Sequence, residues 1–298
     1  MRFCRQGPSL IVDAPAKLNL FLEVGGKRPD GYHELETLMV SIGLCDTLRF
    51  TQVPQPGVAL HARFADDADR PGFPAGSDNL IVRAAQLLAQ KSGYQGGVRI
   101  DVHKRIPSES GMGGGSSDAA ATLVALNRLW RTGLDFDALD RLAAQLGSDL
   151  NFFVRSPRMA ICRGRGELVE PQTLRRRLHF VVLRPRTGLS TAAVFGAWNR
   201  DAVATRQVDS LLLQLSSGSA ASIGGQMFNA LSPPAEGLSS EIAAALGLLR
   251  RVSGGPALMT GSGSACFCLC RGDSHARRVG QRLKAARQGR VWVVSTCI

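Results

Sequence analysis

Pro107-Ser-Glu-Ser-Gly-Met-Gly-Gly-Gly-Ser-Ser-Asp-Ala-Ala-Ala121 lies between an alternating apolar segment (Val98, Ile100, Val102) and one with helical spacing (Ala119, Leu123, Leu126, Trp130). The two periodicities predict a strand ending near Lys104 and a helix from about Ser117 to Trp130. A glycine-rich connection running from a strand into a helix N-terminus is an anion site. Gly111, Gly113, Gly114 and Gly115 let the backbone approach an oxygen-rich ligand, and the unpaired N–H groups of the first turn favour phosphate. Ser116 and Ser117 add hydroxyl donors. A Walker A loop needs Gly-Lys-Ser/Thr, whereas Gly115 is followed by Ser116; a Rossmann fingerprint needs Gly where Ser116 stands. His-Arg-Asp and Asp-Phe-Gly are absent, which excludes a protein-kinase site. A merely flexible connection is the competing reading of the glycines.

Outward from the loop, Ala14-Pro-Ala-Lys-Leu-Asn-Leu-Phe-Leu-Glu-Val24 keeps strict period two. Leu18, Leu20, Leu22 and Val24 share one face of the predicted strand, and Lys17, Asn19 and Phe21 share the other. A helix is expected over 79–92, with Leu80, Ala84, Leu87 and Leu88 at helical spacing, Asp78 placed to cap it and Gly93 to end it. Another is expected over 137–146, stopped by Gly147. Asp149 then precedes an expected apolar strand. Beyond Phe153 a hairpin-like stretch with Gly164 and Gly166 leads through Arg175-Arg-Arg177 to the apolar strand His179-Phe-Val-Val-Leu183, which opens a second layer. Helices follow around 192–198, 209–215, 240–252 and 273–287, with strands over 257–260, 265–270 and 291–295. Ser216-Ser-Gly-Ser-Ala-Ala-Ser-Ile-Gly-Gly225 reads as a mobile loop. The mixture is that of an α+β protein. The division falls near Thr173, giving domains over 1–172 and 173–298.

The length agrees, since 298 residues at ~150 per domain give about two domains. Apolar residues at 44% and charged residues at 20%, with a mean hydropathy near zero, exclude a disordered chain. No apolar run reaches the ~18 residues of a membrane span. The opening Met1-Arg-Phe-Cys-Arg-Gln-Gly-Pro8 lacks the apolar core of a secretory signal. The net charge of +12 comes from 36 basic residues, of which 31 are Arg. Their scatter fits a solvated basic surface better than a nucleic-acid footprint. Seven cysteines without a secretory signal imply free thiols in the cytoplasm. Cys266, Cys268 and Cys270 alternate, so they share one face of a core strand and show no metal spacing.

Three further blocks accompany the glycine loop, which resembles the phosphate loop of the GHMP kinases. Ala14-Pro-Ala-Lys-Leu-Asn-Leu20 with Arg28-Pro-Asp-Gly-Tyr-His-Glu-Leu-Glu-Thr37, then Leu146-Gly-Ser-Asp-Leu-Asn-Phe-Phe153 and Leu258-Met-Thr-Gly-Ser-Gly-Ser-Ala265, resemble in order the blocks of one branch. That branch is the 4-diphosphocytidyl-2-C-methyl-D-erythritol kinases of non-mevalonate isoprenoid synthesis. Asn151 departs from the branch's usual Pro, and the stretch between Asn199 and Met227 matches none of its blocks. The resemblance implies a two-domain GHMP kinase fold with the site in the cleft between domains. It also implies ATP as co-substrate with Mg²⁺, and transfer of the γ-phosphoryl group to the 2-hydroxyl of a cytidine diphosphate-linked polyol. The partners are then small molecules, with neither nucleic acid nor membrane.

The resemblance also distributes roles. Asp149 becomes the general base, where the residues alone allow equally a cap on a short turn. Lys17, otherwise a solvated surface lysine, stands beside Asp149 and the γ-phosphate. Pro107, Gly111, Gly113, Gly114, Gly115, Ser116 and Ser117 hold the triphosphate. Asn79 and Lys104 lie near adenine and ribose, although Asn79 reads as well as a helix cap. On the acceptor side stand Asn19, Thr191 and Asp149. Tyr32 stacks on cytosine, His33 bonds the base edge and Phe195 closes the other face. No motif carboxylate is assigned to the metal. Two rival readings remain: another GHMP small-alcohol kinase, of the homoserine or mevalonate type, and a basic nucleic-acid-binding module.

Overall fold

The computed structural model describes residues 1–74, 76–199 and 206–297. After β1 (Arg2–Gln6), two long antiparallel strands, β2 (Ser9–Lys27) and β3 (His33–Val53), form its spine. Their register slips between Pro15 and Ala16, between Asn19 and Phe21, and between Val24 and Lys27. Such bulges bend a strand and re-aim its side chains. Next come β4 (Gly57–Phe64), α1 (Leu80–Ser92), β5 (Gly97–Lys104), α2 (Gly114–Leu129), α3 (Phe136–Leu146) and α4 (Leu150–Arg155). The hairpin of β6 (Met159–Gly164) and β7 (Leu168–Pro171) completes the first half. Among the described residues the sheet order is β1-β2-β3-β5-β4, with β6 on β3 and β7 on β6. One face of this sheet packs Leu48, Phe50 and Ile100 against Leu88, Leu123, Leu126, Leu142 and Phe152 of the helices.

The second half runs β8 (His179–Arg184), α5 (Thr191–Ala197), α6 (Asp209–Ser217), α7 (Ala220–Gln226), β9 (Phe228–Asn229), α8 (Ser232–Leu238) and α9 (Ser240–Ser253). It finishes with β10 (Ala257–Met259), β11 (Cys266–Cys270), α10 (Asp273–Ala286) and β12 (Arg290–Ser295). These strands form an antiparallel sheet in the order β10-β11-β8-β12. Alternation sorts β11 between two cores. Phe267 joins Phe180, Leu18, Leu20 and Val40 beneath the first sheet, while Cys266, Cys268 and Cys270 join Ile242, Leu249 and Leu283 beneath the helices. The second half also returns to the first: β9 pairs in parallel with β2, and Thr296 bridges to Ile42. The architecture is the α+β one expected.

Four local expectations are corrected. Helix α2 begins three residues earlier than Ser117, because Gly113 takes a left-handed φ of 73° and serves as its N-cap; glycine's poor helix propensity hid the first turn. Asn79, not Asp78, caps α1, its Oδ1 accepting the Ile81 N–H. The segment after Asp149 is a helix, since an unbroken apolar run carries no period to distinguish helix from strand. The Ser/Gly-rich stretch is helical at both ends, with Ser219 capping α7 and Ile223 buried beneath it. Of the unmatched stretch after Asn199, residues 200–205 lie outside the described residues.

Candidate active site

Between β5 and α2 the chain turns through Gly111 and Gly113, at φ 72° and 73°. Because Gly113 offers no side-chain cap, the first N–H groups of this sixteen-residue helix are left for a ligand. A Cβ at Gly111 would stand 2.1 Å from the Thr260 carbonyl oxygen. Only glycine therefore lets the phosphate loop meet the β10–β11 connection.

Lys17 comes up from β2, its backbone N–H donating to the Met112 carbonyl at 3.0 Å. Its side chain is buried, with Nζ donating to Asn19 Oδ1 at 2.6 Å and standing 3.4 Å from Asp149 Oδ2. Asn19 in turn donates from Nδ2 to Thr37 Oγ1 at 2.8 Å and accepts from Thr260 Oγ1 at 3.0 Å. The lysine is thus aimed by a polar network drawn from both halves of the chain. Asp149 occupies the N-cap position of α4 but makes no capping hydrogen bond there. Its side chain is 32% exposed, so a carboxylate oxygen remains open to the cleft.

The cleft has a volume of about 960 Å³ and is lined from both halves. Lys17, Asn19, Gly111, Gly113, Ser116 and Asp149 line one end. Tyr32, His33, Thr191 and Phe195 also border it. Phe195 stacks on His33, with centroids 5.4 Å apart and 22° between planes, and Trp198 meets His33 edge-on. Tyr32 is half exposed and lies under the Arg165 guanidinium, 5.0 Å from its ring centroid. Thr191 Oγ1 bonds Ser262 Oγ at 2.8 Å.

The remaining expected site residues do not line this cleft. Ser117 is fully buried and its hydroxyl donates to the Pro15 carbonyl, so it gives no donor to a phosphate. Gly114 is buried, and a Cβ there would meet the Ile106 side chain at 2.9 Å. Pro107 is buried with its carbonyl accepting the Ser110 hydroxyl; Gly115 is exposed on the first turn of α2. Asn79 spends its side chain on the α1 cap and on the Pro74 carbonyl.

Lys104 is buried in an ion pair with both Asp46 and Asp118, below the first turn of α2. Burial works against its charge, but the two carboxylates outweigh it and hold its pKa above the ordinary lysine value. Burial is also the main reason the Asp118 carboxyl is pushed up to about 8, with Lys104 opposing and Asp46 adding to the shift.

Three contributors went unread in the sequence. Thr260 braces Asn19 across 241 residues, Glu109 lines the cleft, and Arg165 covers Tyr32. Thr260 and Glu109 stand inside the Leu258–Ala265 and Pro107–Ala121 motifs, and Arg165 is a charged residue between two glycines of a hairpin turn. Among the described residues no group of three or more His, Cys, Asp or Glu side chains could hold a metal ion. No helix among them is long and apolar enough to cross a membrane.

The GHMP kinases N terminal domain model matches residues 79–156 and the GHMP kinases C terminal model matches 211–288. The 4-diphosphocytidyl-2-C-methyl-D-erythritol kinase of Bacillus cereus is 38% identical over 92% of this chain and 93% of its own. A crystal structure of 4-(cytidine 5'-diphospho)-2C-methyl-D-erythritol kinase superposes with a TM-score of 0.80 at 37% identity, covering 96% of this chain and 98% of that one. A mevalonate kinase from L. major shares the fold alone, with a TM-score of 0.76 at 17% identity over 99% of this chain and 96% of that one. The two halves of the chain thus match the two halves of the GHMP kinases, which are ATP-dependent phosphotransferases, and the chain belongs to their 4-diphosphocytidyl-2-C-methyl-D-erythritol kinase family.

Proposed function

We propose that this kinase transfers the γ-phosphoryl group of ATP to the 2-hydroxyl of 4-diphosphocytidyl-2-C-methyl-D-erythritol, giving the 2-phosphate and ADP in isoprenoid precursor synthesis. The observation that carries the reading is the Lys17–Asp149 contact of 3.4 Å in a cleft that the glycine loop and the aromatic residues both border. Asp149 accepts the hydroxyl proton as the oxygen attacks the γ-phosphorus in line. The bond to the ADP oxygen breaks, and the charge on the transferring group develops beside Lys17 and the free N–H groups of α2. Asn19 and Thr260 hold the ammonium where that charge appears. Thr191 and Ser116 border the same space and serve the acceptor and the triphosphate respectively.

Mg²⁺ takes hard oxygen ligands and is commonly held by phosphates with one or two protein oxygens. Ser116 and Glu109, both on the cleft wall, are the oxygens that fit, and the ion would neutralise charge on the triphosphate. Tyr32, His33 and Phe195 receive the cytosine, with Phe195 bracing His33 rather than standing free. Asn79 and Lys104 act from beneath the nucleotide side, by capping α1 and supporting the loop. We put the division between domains at 172/173; that the two family models match 79–156 and 211–288, on either side of it, supports the reading. Unpaired cysteines throughout suit the reducing cytoplasm.

Asp149→Asn keeps the shape and removes the base. It is expected to lower kcat by ~10²–10⁴ with ATP affinity retained, as read by coupled ADP release and calorimetry. Turnover equal to wild type would remove Asp149 from the chemistry.

A further inference from the structure

Arg165 sits at the tip of the β6–β7 hairpin, between Gly164 and Gly166 at φ 73° and 120°. The tip is pinned: the Arg165 backbone N–H donates to Glu167 Oε2 at 2.6 Å. The guanidinium is spent much less. Nη2 donates to the Ala144 carbonyl at 3.2 Å, and Nε stands 3.8 Å from Glu167 Oε1, beyond hydrogen-bond distance. A guanidinium carries five donors in a rigid fork; Glu167 and Asp30 lie near enough to act on its charge, but among the described residues its one hydrogen bond is to Ala144, and the residue lines the cleft.

Position decides what those donors are for. The guanidinium carbon lies 5.0 Å from the Tyr32 ring centroid, at the end assigned to the base. One residue on, a Cβ at Gly166 would be 3.6 Å from Asp149 Oδ1, at the end assigned to the reacting hydroxyl. In a diphosphocytidyl polyol the diphosphate is the covalent link between these ends, so it must pass the hairpin tip. It needs a cation there. Lys17 is engaged by Asn19 and Asp149. Lys27 is exposed, opposite His33 in the β2–β3 register.

We propose that Arg165 receives the diphosphate of the acceptor substrate and is a specificity-determining residue of this kinase; the proposal rests on the substrate reading above. The fork geometry suits two adjacent phosphate oxygens. Recognition then has three separate parts: rings for the base, Arg165 for the linker, Lys17 and Asp149 for the reacting end.

A purely structural Arg165 would only hold Tyr32 in place, and the two roles respond differently to the ligand's phosphates. Steady-state turnover of the diphosphocytidyl polyol, with CDP and cytidine as competing ligands, separates them in wild type, Arg165→Ala and Arg165→Lys. Removing the fork is expected to raise the acceptor KM and the CDP inhibition constant about tenfold to a hundredfold, as for lost hydrogen bonds to charged groups. Cytidine inhibition and the ATP KM stay as in wild type, and the lysine variant, which keeps a point charge, falls between. Equal weakening of CDP and cytidine would overturn the proposal in favour of a prop for Tyr32, and unchanged CDP inhibition would overturn it outright. A wild-type enzyme that ignores the diphosphocytidyl polyol would overturn the substrate reading itself, and the arginine's role with it.

Discussion

Gly114 shows how a residue's direction, rather than its presence in a motif, sets its role. From sequence, a side chain at any glycine of the loop would crowd the phosphates. In the structure Gly114 is buried and its Cβ would press on Ile106 at 2.9 Å and approach Lys104 Nζ at 3.5 Å. Gly114→Val is therefore expected to act on stability, costing ~1–3 kcal/mol of overpacking and lowering the thermal midpoint by a few degrees. Gly115→Ala is the control, since its Cβ meets nothing closer than Leu80 at 3.7 Å and alanine suits a helix better than glycine, so it should melt no lower than wild type. A Gly114→Val protein with an unchanged midpoint would contradict the packing described. The same residue-level logic demotes Ser117, whose hydroxyl is committed to Pro15, and promotes Asn19, whose amide orients Lys17.

Helix α1 carries the next prediction, because its N-cap coincides with a residue expected near adenine. Both polar atoms of Asn79 are engaged, on Ile81 and Pro74. Asn79→Ala should cost ~0.5–2 kcal/mol of stability, as caps do, and leave the ATP KM unchanged; denaturant unfolding with ATP titration reads both. A rise in KM without a stability loss would make Asn79 a nucleotide ligand instead. At this scale most of the protein was legible: the helices expected around 192–198, 209–215, 240–252 and 273–287 are α5, α6, α9 and α10, and Cys266, Cys268 and Cys270 share one face of β11. What escaped was physically hidden. A bulge at Leu20 breaks the expected alternation of β2, so that Phe21 shares a core with Leu18 and Leu20 while Leu22 and Val24 join another; four glycines mask the start of α2, and an aperiodic run conceals α4. The site followed the same division. Lys17, Asp149, Tyr32 and His33 sit in compact motifs and could be read; Thr260 sits in one too, but its bond to Asn19, like the place of Arg165 over Tyr32, arises only through tertiary packing.

At the scale of the whole molecule, two halves share a core, and buried charge beneath the loop links stability to pH. Asp118 is raised from 3.8 to about 8. Between those values the folded chain keeps a proton here that the unfolded chain has released, so this group's contribution falls as pH rises across that window. Asp118→Asn removes the titration but can still accept from Lys104. Its stability relative to wild type should therefore grow from the acid to the alkaline end of the window, in urea unfolding at both ends. A constant difference would mean that the carboxyl titrates normally. ADP release by the wild-type enzyme over a set of acceptors measures whether this cleft phosphorylates a polyol that it recognises through a diphosphocytidyl group. Turnover of 4-diphosphocytidyl-2-C-methyl-D-erythritol is expected, with bare methylerythritol and its monophosphate poorer by at least about tenfold to a hundredfold, the worth of a stacked base. Equal kcat/KM for acceptors with and without cytidine would contradict it.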